Sequence, residues 1–221
     1  MSFAELELCE TPNLCVSVLK KPSIFAFGTM PVLFPILEAI AAITGILSVW
    51  YSRKLSILTY PFGIISVLLY VYLCLEVKLY ADAGINAWYF LLSVYGWWRW
   101  LRPVAELELP VRRLDQKPLI IGLGMFGLAL PLLYFLLRTY TDSDVPFIDS
   151  FTTAVAITGM YWMAEKRIEH WYAWLLVDVI SVPLYLYKDM PVTALQFVVF
   201  TILATQGLFI WRKKLANQLI V

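Results

Sequence analysis

Five residues between Glu169 and Gln196 combine types and spacing that suit ligand recognition. Trp171, Trp174, Asp178, Ser181 and Tyr185 follow one another at steps of three and four, so on a helix they share one face. That face offers two indoles, a carboxylate, a hydroxyl and a phenol, which suits a flat, partly polar, cationic ligand better than lipid. The surrounding sequence is apolar and reads as a membrane-crossing helix. A carboxylate at the centre of such a helix costs roughly 2.5–3.5 kcal/mol on insertion scales, so Asp178 is expected to face the protein interior or a wet cavity.

Other polar groups sit in apolar surroundings. Tyr60 and Ser66 fall in an earlier apolar segment, Asn86 and Tyr89 in the next, and Thr193 and Gln196 near the end of the chain, while Trp50 closes the first segment. Asn86 and Gln196 occupy similar places and could bind ribose-type hydroxyls from two sides. Plainer roles are open to several of these. Amides also bond neighbouring helices. Trp50, Trp97, Trp98, Trp100 and Trp211 lie at segment ends, where aromatic belts form anyway. Asp178 lacks a Lys or Arg within any segment to pair with, which favours a ligand, a water or a tyrosine hydroxyl as its partner. Neither a zinc motif, nor a nucleophile elbow, nor a Gly-rich strand-to-helix turn is present, so no metal or cofactor is expected. His170, beside Trp171, reads as an interfacial residue. The three cysteines, Cys9, Cys15 and Cys74, have no metal-ligand spacing.

The elements that must position these groups follow from composition. The chain is 61% hydrophobic and 15% charged, where soluble domains are nearer half apolar and a quarter charged. This composition identifies an all-α integral membrane protein in contact with lipid. A net charge of +1 gives no basic field for nucleic acid. Residues 1–31 form a polar surface segment without the basic start of a signal peptide. About twenty apolar residues cross a bilayer as a helix, and seven such segments follow: Val32–Tyr51, Leu55–Leu75, Ala83–Trp98, Pro118–Leu137, Phe147–Ala164, Trp171–Tyr187 and Met190–Trp211. Pro61 and Pro183 are expected to bend the second and sixth. Gly122, Gly124 and Gly127 suggest close packing by the fourth.

Basic residues set the orientation. One side collects Arg53, Lys54, Arg99, Arg102, Arg112, Arg113, Lys117, Lys166, Arg167, Arg212, Lys213 and Lys214; the other holds Lys20, Lys21, Lys78, Arg138 and Lys188. Positive charge stays inside, so the C-terminus is expected in the cytoplasm and the N-terminus outside.

The chain also repeats itself. Residues 65–72 match residues 180–187 at six of eight positions, Ile43-Thr44-Gly45 matches Ile157-Thr158-Gly159, and Gly96 and Trp100 match Gly207 and Trp211. The expected plan is therefore 3+1+3, with two parallel three-helix repeats. It divides into a first repeat over 32–101, a linker loop with the central helix over 102–147, a second repeat over 148–214, and a tail over 215–221. Parallel repeats about an axis normal to the membrane are a transporter design, with the substrate between the halves. A membrane-embedded enzyme would instead need acidic or histidine residues clustered at one helix end, and the polar groups here are scattered at mid-depth.

Several motifs together resemble a known family. Tyr60-Pro61-Phe62-Gly63-Ile64, Leu79-Tyr80-Ala81-Asp82, Tyr95-Gly96-Trp97-Trp98 and Trp171-x-x-Trp174-x-x-x-Asp178 are similar to the PnuC family of bacterial vitamin transporters, over about residues 35 to 214. The resemblance implies a SWEET-related 3+1+3 fold in a bacterial inner membrane. It implies facilitated diffusion of nicotinamide riboside, trapped inside by phosphorylation, with the Trp-x-x-Trp motif and the polar residues facing it lining the path. Relatives in the family carry thiamine, which is also a flat cation that aromatic stacking and one carboxylate would serve. A homo-oligomer is compatible with all of this.

Overall fold

The computed structural model describes residues 33–76, 80–102, 109–141, 143–187 and 191–218. The expected surface segment 1–31 lies outside them. Seven α-helices cover the described residues: α1 (Leu33–Arg53), α2 (Thr59–Glu76), α3 (Tyr80–Leu101), α4 (Gln116–Tyr140), α5 (Pro146–Ala164), α6 (His170–Tyr187) and α7 (Pro191–Gln218). α1, α2, α4 and α7 are long and apolar enough to cross a membrane. Their outer faces carry large apolar side chains such as Ile43, Ile120, Leu128, Leu132 and Phe209, all more than half exposed. Such a surface is stable against hydrocarbon rather than water.

Helix bounds depart from the apolar segments at polar ends. α3 starts before Ala83 and runs past Trp98, because a helix continues through polar residues whose backbone bonds stay within the turn. α7 likewise continues beyond Trp211, carrying Arg212, Lys213 and Lys214 on helix. The two prolines stand differently in their helices. Pro183 lies inside α6, whereas Pro61 stands in the first turn of α2, where its missing N–H costs nothing.

α1 packs on α2 and α2 on α3; α5 packs on α6 and α6 on α7. α4 packs on α5. The two triplets meet through α1 against α7 and α3 against α5. α5 is a heavily buried helix, with Ser150, Ala154, Ala156, Thr158 and Gly159 enclosed; small residues let backbones approach in a bilayer. Of the three α4 glycines, Gly122 serves such an approach. A Cβ there would lie 2.4 Å from the Trp162 indole, which donates to the Pro118 carbonyl at 3.0 Å. Gly124 and Gly127 face open space.

One end of the bundle is sealed. Tyr60, Trp100, Leu109, Val111, Ile168, Trp171, Ala204, Leu208 and Trp211 form a single apolar cluster there. The strap before α4 lies against it. Arg112 N–H donates to the Lys166 carbonyl at 3.1 Å and Ile168 N–H to the Arg112 carbonyl at 3.0 Å, and the Arg167 guanidinium reaches Asp115 at 3.0 Å.

Candidate functional site

A cavity of about 240 Å³ lies directly above that seal. Its walls come from six helices, all but α4. α1 contributes from its C-terminal half with Gly45, Ser48 and Ser52, and α2 from its N-terminal half with Thr59, Tyr60, Gly63 and Ser66. α3 supplies Tyr89 and Ser93, and α5 supplies Met160 and Met163. α6 supplies Trp171, Trp174 and Asp178, and α7 supplies Phe197, Phe200 and Ala204.

The α6 face folds inward as its spacing requires. Trp171, Asp178 and Ser181 are buried, while Tyr172, Leu176, Val179 and Leu186 on the opposite face are exposed. Asp178 makes no hydrogen bond or ion pair with the described residues, although it is 3% exposed. A carboxylate so enclosed is costly unless something positive or proton-donating meets it. The lining residues include no Lys, Arg or His.

The floor of the cavity is built twice. A Cβ on Gly96 would lie 2.4 Å from the Tyr60 ring, and one on Gly207 would lie 2.4 Å from the Trp171 ring. Only glycine allows either ring to seat. Tyr60 then meets Trp100 edge-on at 5.2 Å, and Trp171 meets Trp211 edge-on at 5.8 Å. Each of those tryptophans reaches across to the other triplet. Trp100 Nε1 donates to the Met163 carbonyl at 3.3 Å, and Trp211 Nε1 donates to the Ser52 carbonyl at 3.1 Å. His170, expected at the interface, is fully buried between the Trp171 and Trp211 rings, with Nδ1 2.6 Å from the Arg167 carbonyl. Apolar packing of the seal encloses it.

Of the twelve residues singled out from the sequence, the cavity gathers Tyr60, Ser66, Tyr89, Trp171, Trp174 and Asp178. Ser181 and Tyr185 lie outside its lining, and the Tyr185 ring stacks on Phe197 at 5.1 Å. Asn86 is also outside, its amide donating to the Asp82 carbonyl at 2.9 Å. Trp50 is 39% exposed beneath the Arg53 guanidinium, 3.8 Å from its ring. The Thr193 side chain lies outside the described residues. Gln196 misses the lining by one position. The inward stripe of α7 runs Phe197, Phe200, Ala204, Gly207, Trp211, at the same steps as Asn86, Tyr89, Ser93, Gly96, Trp100 on α3. Phe197, not Gln196, therefore corresponds to Asn86.

Sequence reasoning also missed Ser48, Ser52, Thr59 and Ser93, the two methionines, and the two α7 phenylalanines. Two signals were available. One was the α7 stripe itself. The other was Gly45 and Gly63 within apolar segments, where hydroxyls of the facing helix come close: an added Cβ would meet Ser66 Oγ at 3.1 Å and Ser48 Oγ at 3.0 Å.

Comparisons with known proteins point one way. A family model described as nicotinamide mononucleotide transporter matches residues 35–213. The nicotinamide riboside transporter PnuC of Escherichia coli is 26% identical over 201 residues, covering 79% of this chain and 84% of that one. The riboflavin/roseoflavin transporter RibM of Streptomyces davaonensis is 25% identical over 181 residues, covering 79% and 83%. A crystal structure of the vitamin B3 transporter PnuC superposes with a TM-score of 0.64 at 26% identity, covering 82% of this chain and 83% of that chain.

Proposed function

The chain belongs to the PnuC family of transporters, a multi-pass membrane family of vitamin carriers, and on that premise we propose that it carries nicotinamide riboside by facilitated diffusion. The observation that carries this reading is the Asp178 carboxylate, without a hydrogen-bond or ion-pair partner among the described residues, in a cavity lined by Trp171 and Trp174 and by no basic residue. A pyridinium ring brings the missing positive charge. In a low-dielectric interior a carboxylate attracts it more strongly than in water, and an indole face adds about 0.5–2 kcal/mol. A phosphate group would find no cation to pair with there, which favours the nucleoside over the nucleotide. The cavity is smaller than the roughly 300–1,000 Å³ usual for drug-sized ligands, so a tricyclic flavin would be crowded.

The proposed architecture is 3+1+3, two parallel triplets α1–α3 and α5–α7 joined by α4, in a bacterial inner membrane with the C-terminus in the cytoplasm. The paired floor geometry and the crosswise contacts of α1 with α7 and α3 with α5 support it. The seal then faces the cytoplasm, and phosphorylation inside traps the vitamin after release. Thiamine is the second reading, because Asp178 serves any flat cation of this size.

The test is counterflow in proteoliposomes with nicotinamide riboside, thiamine and riboflavin side by side. Nicotinamide riboside should exchange fastest, and a proton or sodium gradient should produce no accumulation. Exchange of riboflavin alone, or accumulation driven by an ion gradient, would overturn the reading.

A further inference from the structure

We propose that the α1–α2 wall of the cavity is a specificity surface that accepts hydrogen bonds and does not give them, so the transported molecule must turn hydrogen-bond donors towards it. The proposal rests on the vitamin-carrier reading and deepens it. Tyr60 also lines this wall, but its hydroxyl is fully buried against Gly96; the other hydroxyl-bearing residues are four, Ser48, Ser52, Thr59 and Ser66. Each of their protons is already committed. Ser48 Oγ donates to the Thr59 carbonyl at 2.7 Å, and Thr59 Oγ1 donates back to the Ser48 carbonyl at 2.9 Å. Ser66 Oγ donates to the Ala41 carbonyl at 2.8 Å, and Ser52 Oγ to the Met163 thioether at 3.3 Å.

Carbonyl and thioether atoms have no proton to give, so the direction of all four bonds is fixed. What remains on each hydroxyl oxygen is lone pairs. Asp178, across the cavity, is acceptor-only when ionised. The wall and the carboxylate thus ask for the same thing. A vicinal diol or an exocyclic amine supplies protons to these oxygens. A ring edge rich in carbonyls would set lone pair against lone pair. For a hydroxyl to serve such an edge it would have to leave its present acceptor, giving up one hydrogen bond to make another. The wall therefore selects by the number and direction of donors, while Asp178 and the indoles select by charge and flatness.

The experiment uses the full-length chain in detergent and calorimetric titration with nicotinamide riboside. Its 2′-deoxy and 2′-deoxy-2′-fluoro analogues, and the corresponding 3′ pair, are titrated alongside. Fluorine is close to hydroxyl in size and keeps a weak acceptor, but has no proton. At one position or both, the fluoro and deoxy analogues should lose affinity together, by about tenfold. In a chain carrying Ser48→Ala and Thr59→Val, that loss should shrink to about threefold or less. Should the double variant not fold, the analogue series on the unchanged chain still decides. Parent that binds with both fluoro analogues within about twofold of it would overturn this proposal alone. Parent that fails to bind would remove the vitamin assignment and this proposal with it.

Discussion

The α1–α3 and α5–α7 triplets close the cavity in the same way and furnish it differently. In both, a ring from the second helix sits on a glycine of the third and meets a tryptophan one turn further on, Tyr60 with Gly96 and Trp100, Trp171 with Gly207 and Trp211. In both, that tryptophan ties itself to a carbonyl of the opposite triplet. The helices before these seats also end alike, Leu55 and Lys166 each taking a left-handed backbone conformation. Above this floor the likeness stops. α1 and α2 present small hydroxyls, whereas α5, α6 and α7 present thioethers, indoles, phenyl rings and one carboxylate. Sealing depends on how closely helices approach, and that tolerates little change. On the proposed reading the walls face the cargo and are freer to diverge, and an asymmetric vitamin would be read by two unlike surfaces carried on one shared closing device.

The comparison can be broken at its floor. Gly207→Ala places a methyl group against the Trp171 ring, which is 1% exposed and has nowhere to move. Overpacking of this kind costs about 1–3 kcal/mol. Thermal stability should fall by that amount, and counterflow should fall as the displaced ring distorts the floor. Gly96→Ala, which crowds Tyr60, should do the same. Gly124→Ala, with nothing within 4 Å, should change neither measurement. A tolerant Gly207 beside an intolerant Gly96 would show that the two floors are not equivalent.

A smaller effect is expected from the crosswise indole bonds. Trp100→Phe and Trp211→Phe each keep an aromatic ring and remove one N–H donor. Each should cost about 0.5–1.5 kcal/mol in thermal unfolding, with the two values close to each other. A large cost at one and none at the other would make the crosswise ties unequal. Smallest of all is Trp50→Ala. Its ring lies under Arg53 and Lys54 at the rim, so vitamin affinity should stay within about twofold. A tenfold loss in titration would bring Trp50 back among the cavity residues.

The seven apolar segments were legible because a bilayer demands long hydrophobic runs, and each became a helix. The inward face of α6 was legible because a charge in such a run has few places to go. The hydroxyl wall was not. Ser48, Ser52 and Thr59 lie close to segment ends, where serine and threonine are common for reasons unrelated to ligands. Their meaning appears only when α1 and α2 pack and Ser48 and Thr59 exchange bonds. Gln196 drew attention because an amide looks like a binding group, and a phenyl ring such as Phe197 gives no such signal in an apolar segment. The register of α7 was set by Gly207 against Trp171, a contact between distant parts of the chain. His170 was placed at a surface because one histidine next to a tryptophan fits an interface equally well; its burial depends on Trp211 arriving from α7.

The most direct test of the account asks whether Asp178 reads the positive charge of the cargo. Nicotinamide riboside and its 1,4-dihydro form have nearly the same shape, but only the first is a cation. Affinities of both for the purified chain, and for Asp178→Asn, would be measured by calorimetric titration. The unchanged chain should prefer the cation by about tenfold or more, and Asp178→Asn, which keeps shape and removes charge, should bring the two within about threefold. An equal preference in both chains, with Asp178→Asn folded, would take Asp178 out of ligand recognition and contradict the account.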